Sequence, residues 1–161
     1  MRCDTRTGAW TLLALTAAVL AAAFAAQHIA GLTPCRLCVW QRYPWALAGL
    51  ATGATLLLPP GWRRPSLGVA ALTLTAGAVL AGFHLGVEQD WWPGLPGCSA
   101  PEIDPSMSAA DLKAMLESRR NVVPCGDPAG VVLGVSMAGQ NMLASLAGAA
   151  FGWIVTARAR A

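Results

Sequence analysis

Charge is scarce in this chain. Only 12% of its 161 residues are Asp, Glu, Lys or Arg, about half of what a soluble domain of this size carries. That scarcity excludes an ordinary water-exposed surface. A run of basic residues is also missing, which excludes the nucleic-acid-binding class. The net charge of +3 means little until the charges are placed.

Apolar residues fill the space, at 55% of the chain. Four stretches stand out, over residues 9–27, 38–58, 67–87 and 130–155. A bilayer core of roughly 30 Å needs about 20 such residues per helix. Helices also satisfy their own backbone groups, as lipid requires. The expected fold is an all-α membrane protein, a four-transmembrane-helix bundle forming one domain over residues 1–161. The first stretch follows Arg2 and Arg6 and has the outline of a signal peptide. Its apolar run is long for one, and three more spans follow, so it reads as a span.

Acids are nearly absent from three segments. Arg2 and Arg6 precede span one, Arg63 and Arg64 lie between spans two and three, and Arg158 and Arg160 follow span four; only Asp4 accompanies them. Glu88, Asp90, Glu102, Asp104, Asp111, Glu117 and Asp127 all fall between spans three and four. Arg and Lys near span ends mark the cytoplasmic side. Both termini and the GWRRP turn are therefore expected inside, and loops of about 28–37 and 88–129 outside. Tryptophans near the expected boundaries suit interfacial depth: Trp10, Trp62 and Trp153 inside, Trp40, Trp45, Trp91 and Trp92 outside.

The cysteines then sort themselves. Cys35 and Cys38 fall in the first outside loop, Cys98 and Cys125 in the second, and Cys3 alone inside. In a bacterium, the outside compartment is where disulfides persist. The stretch TPCRLCVWQRYP, residues 33–44, carries the first pair. With a helix starting near Pro34 or Cys35, Cys38 lies in its first turn, where backbone amides favour a thiolate. Arg42 follows four residues later on the same face and adds to that stability. Cys38 is therefore the expected low-pKa thiol; the plainer reading is a structural disulfide beside a snorkelling arginine. In the second loop, Ser108 caps a short amphipathic helix to Arg120, with Leu112, Met115 and Leu116 on one face. That face suits either the bilayer surface or the rest of the domain. A Cys98–Cys125 bond is permitted by chain geometry, and the flanking Pro93, Pro96, Pro124 and Gly126 would leave it open to exchange.

Small residues recur four apart at Gly49/Gly53, Gly82/Gly86, Gly130/Gly134 and Ala144/Gly148/Gly152, a pattern for close helix packing. Gln140 and Asn141 are expected to hydrogen-bond between helices, the sharper alternative being a quinone pocket. His28 and His84 suit interfacial polar packing or a proton relay. Cys3 reads as a spare thiol. An all-cysteine zinc site is disfavoured, because such sites usually use two close pairs.

Gln27-His28, Leu32-x-Pro34-Cys35-x-Leu37-Cys38, Arg42, the second cysteine pair and the LGVSM stretch resemble the disulfide bond formation protein B (DsbB) family of bacteria. The resemblance runs from about Gly8 to Asn141. Position 41 is glutamine where some relatives carry an acid. The resemblance implies a quinone-dependent thiol oxidoreductase of the inner membrane, with its active cysteines on the periplasmic side. It implies that a periplasmic DsbA-like thioredoxin-fold dithiol attacks the Cys98–Cys125 disulfide at Cys98, and that Cys125 exchanges with Cys35. Electrons end on Cys35–Cys38, with Cys38 in charge-transfer contact with ubiquinone or menaquinone and Arg42 beside it. Rival readings are a reductive thiol carrier, a vitamin K epoxide reductase-like enzyme, and a structural four-span protein with two inert disulfides. A carrier would need more inside thiols than Cys3. A reductase of the second kind would place its Cys-x-x-Cys near the last helix.

Overall fold

The computed structural model describes residues 5–95, 98, 107–118 and 123–159. Cys3, Arg2, Arg160 and the charges at 102, 104, 119 and 120 lie outside them. Among the described residues the secondary structure is helical, apart from one isolated bridge between Val132 and Val135. The elements are α1 (Thr5–His28), α2 (Arg36–Trp40), α3 (Arg42–Leu57), α4 (Pro60–Glu88), α5 (Ala109–Ser118) and α6 (Met137–Arg158). Two of these, α1 and α4, are long and apolar enough to cross a membrane. In α6, Gln140 and Asn141 dilute the apolar content.

The long helices form a ring: α1 packs on α3 and α6, and α4 packs on the same two from the other side. At its centre lie Leu12, Trp45, Ala48, Ala70, Leu74 and Ala149. One end is closed by Ala9, Leu67 and Val155, the other by Cys35, Leu37, Val87, Cys98 and Cys125. Thus the four outside cysteines of the sequence reading gather at one end of the ring.

Several helix limits depart from expectation for identifiable reasons. The helix of the cysteine motif begins at Arg36, with Cys35 as its N-cap, not at Pro34 or Cys35. It pauses at Gln41 because Pro44 has no N–H for the Trp40 carbonyl. Together α2 and α3 run from 36 to 57, about 33 Å at 1.5 Å per residue. The GWRRP segment is not a turn: Pro59 and Pro60 start α4, and prolines suit a first turn. α6 starts at Met137, seven residues into the fourth apolar stretch, with Ser136 as its cap. Before it, Gly130 (φ 58°) and Gly134 (φ 80°) shape a tight turn with the Val132–Val135 bridge. That pair of glycines therefore serves a left-handed backbone, not helix packing. α5 is capped as expected, with Asp111 N–H donating to Ser108 Oγ at 3.2 Å. The side chains of Leu112, Met115 and Leu116 lie outside the description.

Close packing does occur at Gly148 and Gly152. A Cβ at Gly152 would stand 3.1 Å from Ala71 Cβ and 3.3 Å from its Cα, on the backbone of α4. Trp45 corrects another expectation: it is 1% exposed, a core residue and not an interfacial anchor. Trp10, Trp62, Trp91 and Trp92 are exposed, as interfacial residues would be. Gly152→Val should force α4 and α6 apart and cost about 1–3 kcal/mol. A lowered thermal midpoint in detergent is expected; an unchanged midpoint would contradict the α4–α6 contact.

Candidate redox site

Cys35 is built into a helix start. Its extended backbone turns the sulfur back over α2, where it accepts the Cys38 N–H at 3.2 Å. The Cys38 sulfur lies 2.8 Å from it. His84 of α4 brings Nε2 to 3.5 Å. Cys35 is buried and Cys38 half-buried. The Cys35 thiol is held down to about 4, first by the hydrogen bond from Cys38, then, against the cost of burial, by His84 and the Cys38 N–H. The sequence reading placed the low-pKa thiol at Cys38. The backbone places it at Cys35, because the capping residue, not the first-turn residue, receives the free amide.

Cys98 and Cys125 form a disulfide across 27 residues. The Cys125 N–H also donates to the Cys98 carbonyl at 2.7 Å. Both residues are buried, at 2% and 0% exposure, against Leu37, Val87 and Cys35. The expected ready access for exchange is thus contradicted: Pro93 is exposed and Pro124 and Gly126 are half-buried, but the disulfide is docked on the bundle. With these two sulfurs bonded to each other, four thiolates are not available to one zinc ion. Cys35, Cys38 and His84 bring three ligand atoms within 4.8 Å of one another. Two sulfurs on one zinc stand about 3.8 Å apart, from 2.3 Å bonds at a tetrahedral angle. The Cys35 and Cys38 sulfurs stand closer together than that, at 2.8 Å.

Behind Cys38 a cleft opens between α1, α3 and α6. Leu20, Ala23, Cys38, Arg42, Trp45 and Asn141 are among its lining. Arg42 donates to Gln27 Oε1 at 2.7 Å and lies 4.8 Å over the Phe24 ring. Cys38 and Arg42 therefore share the cleft, while Cys35 is buried with the second disulfide and Cys38 packs at the edge of that cluster. Asn141 bonds between helices, to Trp45 and Gln41, as expected, and it also lines the cleft. Gln140 instead pins the 130–136 turn through the Gly130 and Val135 carbonyls. His28 is exposed and stacks on Phe24. His84 is the residue the sequence reading undervalued. Its signal was the His84-x-x-x-Glu88 pair at the outside end of span three, level with the cysteines. Its Nε2 lies 3.9 Å from Glu88, whose carboxylate accepts the Ser136 hydroxyl at the start of α6.

Residues 5–155 match the family model described as "Disulfide bond formation protein DsbB". The chain belongs to the DsbB family. It is a disulfide oxidoreductase with transmembrane helices. The protein named Disulfide bond formation protein B of Azoarcus sp. is 30% identical over 137 residues, 82% of this chain and 80% of its own length. Its namesake in Neisseria meningitidis is 30% identical over 96 residues, 60% of this chain and 58% of its own. Disulfide bond formation protein B 2 of Pseudomonas entomophila is 38% identical over 96 residues, 56% and 54% of the two chains. No solved structure matches this chain.

The ionised Cys35 should persist well below neutrality, since its thiolate is present above about 4 and lost as pH falls through that value. Alkylation of Cys35 in the reduced protein, followed by mass spectrometry, should stay near its plateau rate from about pH 8 to 5.5. A steady fall of about tenfold per unit below pH 8 would contradict the capped-thiolate geometry.

Proposed function

We propose that this DsbB-family chain reoxidises a periplasmic DsbA-like dithiol and delivers the electrons to a membrane quinone. The observation that carries this reading is the division of labour at one bundle end. Cys35 packs against Cys98–Cys125, while Cys38 lines a cleft with Arg42.

All four long segments would span the bacterial inner membrane, with both termini in the cytoplasm. Exposed apolar side chains on every long helix support this: Phe24 on α1, Leu50 and Leu57 on α3, Leu72 and Val79 on α4, Leu143 and Leu146 on α6. Arg6, Arg63, Arg64 and Arg158 lie toward the end opposite the cysteines, as the positive-inside rule asks.

The thiol steps balance within the chain and its partner. A partner thiolate attacks Cys98, forming a mixed disulfide and releasing the Cys125 thiolate. The second partner thiolate displaces Cys98, and the partner leaves oxidised. The Cys125 thiolate attacks Cys35 of an oxidised Cys35–Cys38 pair, releasing Cys38. Cys98 then closes back on Cys125 and releases Cys35. The result is one partner disulfide gained and one Cys35–Cys38 dithiol, holding two electrons and two protons. Because Cys98–Cys125 is buried, the second loop must lift for the first step. A low-pKa Cys35 is a good leaving group for the last step.

The cleft residues fit a quinone. Leu20 and Ala23 offer apolar walls, and Arg42, Gln27 and Asn141 offer donors and acceptors for a ring oxygen. Ubiquinone or menaquinone bound there supplies an acceptor for two electrons and two protons. The Arg42 guanidinium would polarise a ring oxygen there. Burial of Cys98–Cys125 is the one feature that favours a pair of inert structural disulfides.

One experiment separates the two. The purified protein in detergent is given a reduced DsbA-like protein and a soluble quinone, and quinone absorbance is followed. Turnover is expected, with loss of about 100-fold or more in Cys38→Ser. Cys98→Ala should stop oxidation of the protein donor while sparing quinone reduction by a small dithiol. Absence of quinone turnover with both donors would reject the relay. Arg42→Leu should weaken the quinone step by about 10-fold or more and leave exchange between the partner and Cys98–Cys125 intact.

A further inference from the structure

Four hydrogen bonds run in one direction from the bundle core to Cys35. Trp45 Nε1 donates to Asn141 Oδ1 at 2.7 Å. The Asn141 amide donates to Gln41 Oε1. Gln41 Nε2 lies 2.7 Å from His84 Nδ1. His84 Nε2 lies 3.5 Å from Cys35 Sγ and 3.2 Å from the Cys125 carbonyl oxygen. An indole N–H can only donate. It therefore requires the Asn141 oxygen, which turns the Asn141 amide nitrogen to Gln41. That nitrogen requires the Gln41 oxygen, which turns the Gln41 nitrogen to His84. Nδ1 must then accept, so the hydrogen of the neutral ring sits on Nε2. Reversing any member would set two donors face to face in a buried site, at a cost of about 1–3 kcal/mol per unsatisfied group. Trp45 has no alternative role, so its N–H sets the orientation of both amides.

We infer that the donor-only indole of Trp45 fixes the Nε2–H tautomer of His84. That N–H is thereby a standing donor shared by Cys35 and the Cys125 carbonyl. Trp45, Asn141 and Gln41 are positioning residues for the thiolate, although none of them touches a sulfur in the chain of bonds. The same N–H ties the second loop to the bundle, so one hydrogen atom serves both cysteine pairs. The inference rests on Cys35–Cys38 being the working dithiol of the proposed relay. The groups facing Cys35 are few. Cys38 comes from α2, and His84 from α4 with Glu88 3.9 Å from its ring. The Cys98–Cys125 disulfide does not titrate. Ser136 and Asn141 of α6 are uncharged, and Arg42 of α3 is turned to Gln27.

The test reads the ring itself and needs neither quinone nor partner, so its failure is separate from failure of the relay. The chain has two histidines, so His28→Gln leaves one. Nitrogen-15-labelled histidine in that full-length protein, in detergent at pH 8, should show a protonated Nε2 and a bare Nδ1. A protonated Nδ1, with or without a proton on Nε2, would overturn the inference. As a second readout, Trp45→Phe keeps the aromatic packing and removes the orienting donor. It should move the pH midpoint of Cys35 alkylation in the reduced protein upward by up to about one unit, which lowers the rate at pH 3 by up to about tenfold. The plateau rate at pH 8 should be unchanged, as a merely structural loss would not predict. An unchanged pH profile in a folded Trp45→Phe protein would also overturn it.

Discussion

A polar group buried in an apolar bundle has to find its partner inside the protein. That constraint organises this chain. The sulfur of Cys35, the imidazole of His84, the amides of Gln41 and Asn141 and the indole of Trp45 come from α4, α6 and the α2–α3 segment. Each satisfies the next. The three segments cannot shift independently without leaving one of these groups unpaired, so their register at the cysteine end follows from the polar chain. Apolar packing of small residues, as at Gly152 on Ala71, brings the helices close but says little about which rotation of each is right.

Both cysteine pairs occupy the same end, and the Cys35–Cys38 pair has two sides. One side meets the second loop's disulfide through Leu37 and Val87. The other meets the cleft through Cys38. Electron transfer along such a route needs thiol exchange on one side and access for an apolar carrier on the other. A two-residue gap at a helix start brings the two sulfurs within 2.8 Å of each other, which joins the two sides. The docking of the second loop on His84 adds a condition: exchange with a soluble protein requires that loop to leave a buried site.

Much of this was legible. Hydrophobic runs mark four long helical segments because their length and composition answer to bilayer thickness. Ser108 and its Asp111 partner were readable because a cap is a local feature. The grouping of four cysteines at one end followed from charge placement alone. The illegible parts depend on backbone geometry or on distant residues. Gly130 and Gly134 have the spacing of a packing motif, and only their positive φ reveals a turn. Trp45 sits at an expected boundary, yet rotation of α3 turns it into the core. Cys38 was the expected thiolate because it lies in the first turn, whereas the cap residue Cys35 receives the free amide.

The sequence by itself determined the helical segments, the grouping of four cysteines at one end of the bundle and the chemical type of the Cys-x-x-Cys-x-x-x-Arg segment. These depend on composition and on spacings of a few residues. Only the tertiary structure decided that the Cys98–Cys125 disulfide is buried and packs beside the Cys35 sulfur. It alone brought His84 to that sulfur across 49 positions. Such contacts are set by how helices rotate and dock, which no local spacing encodes.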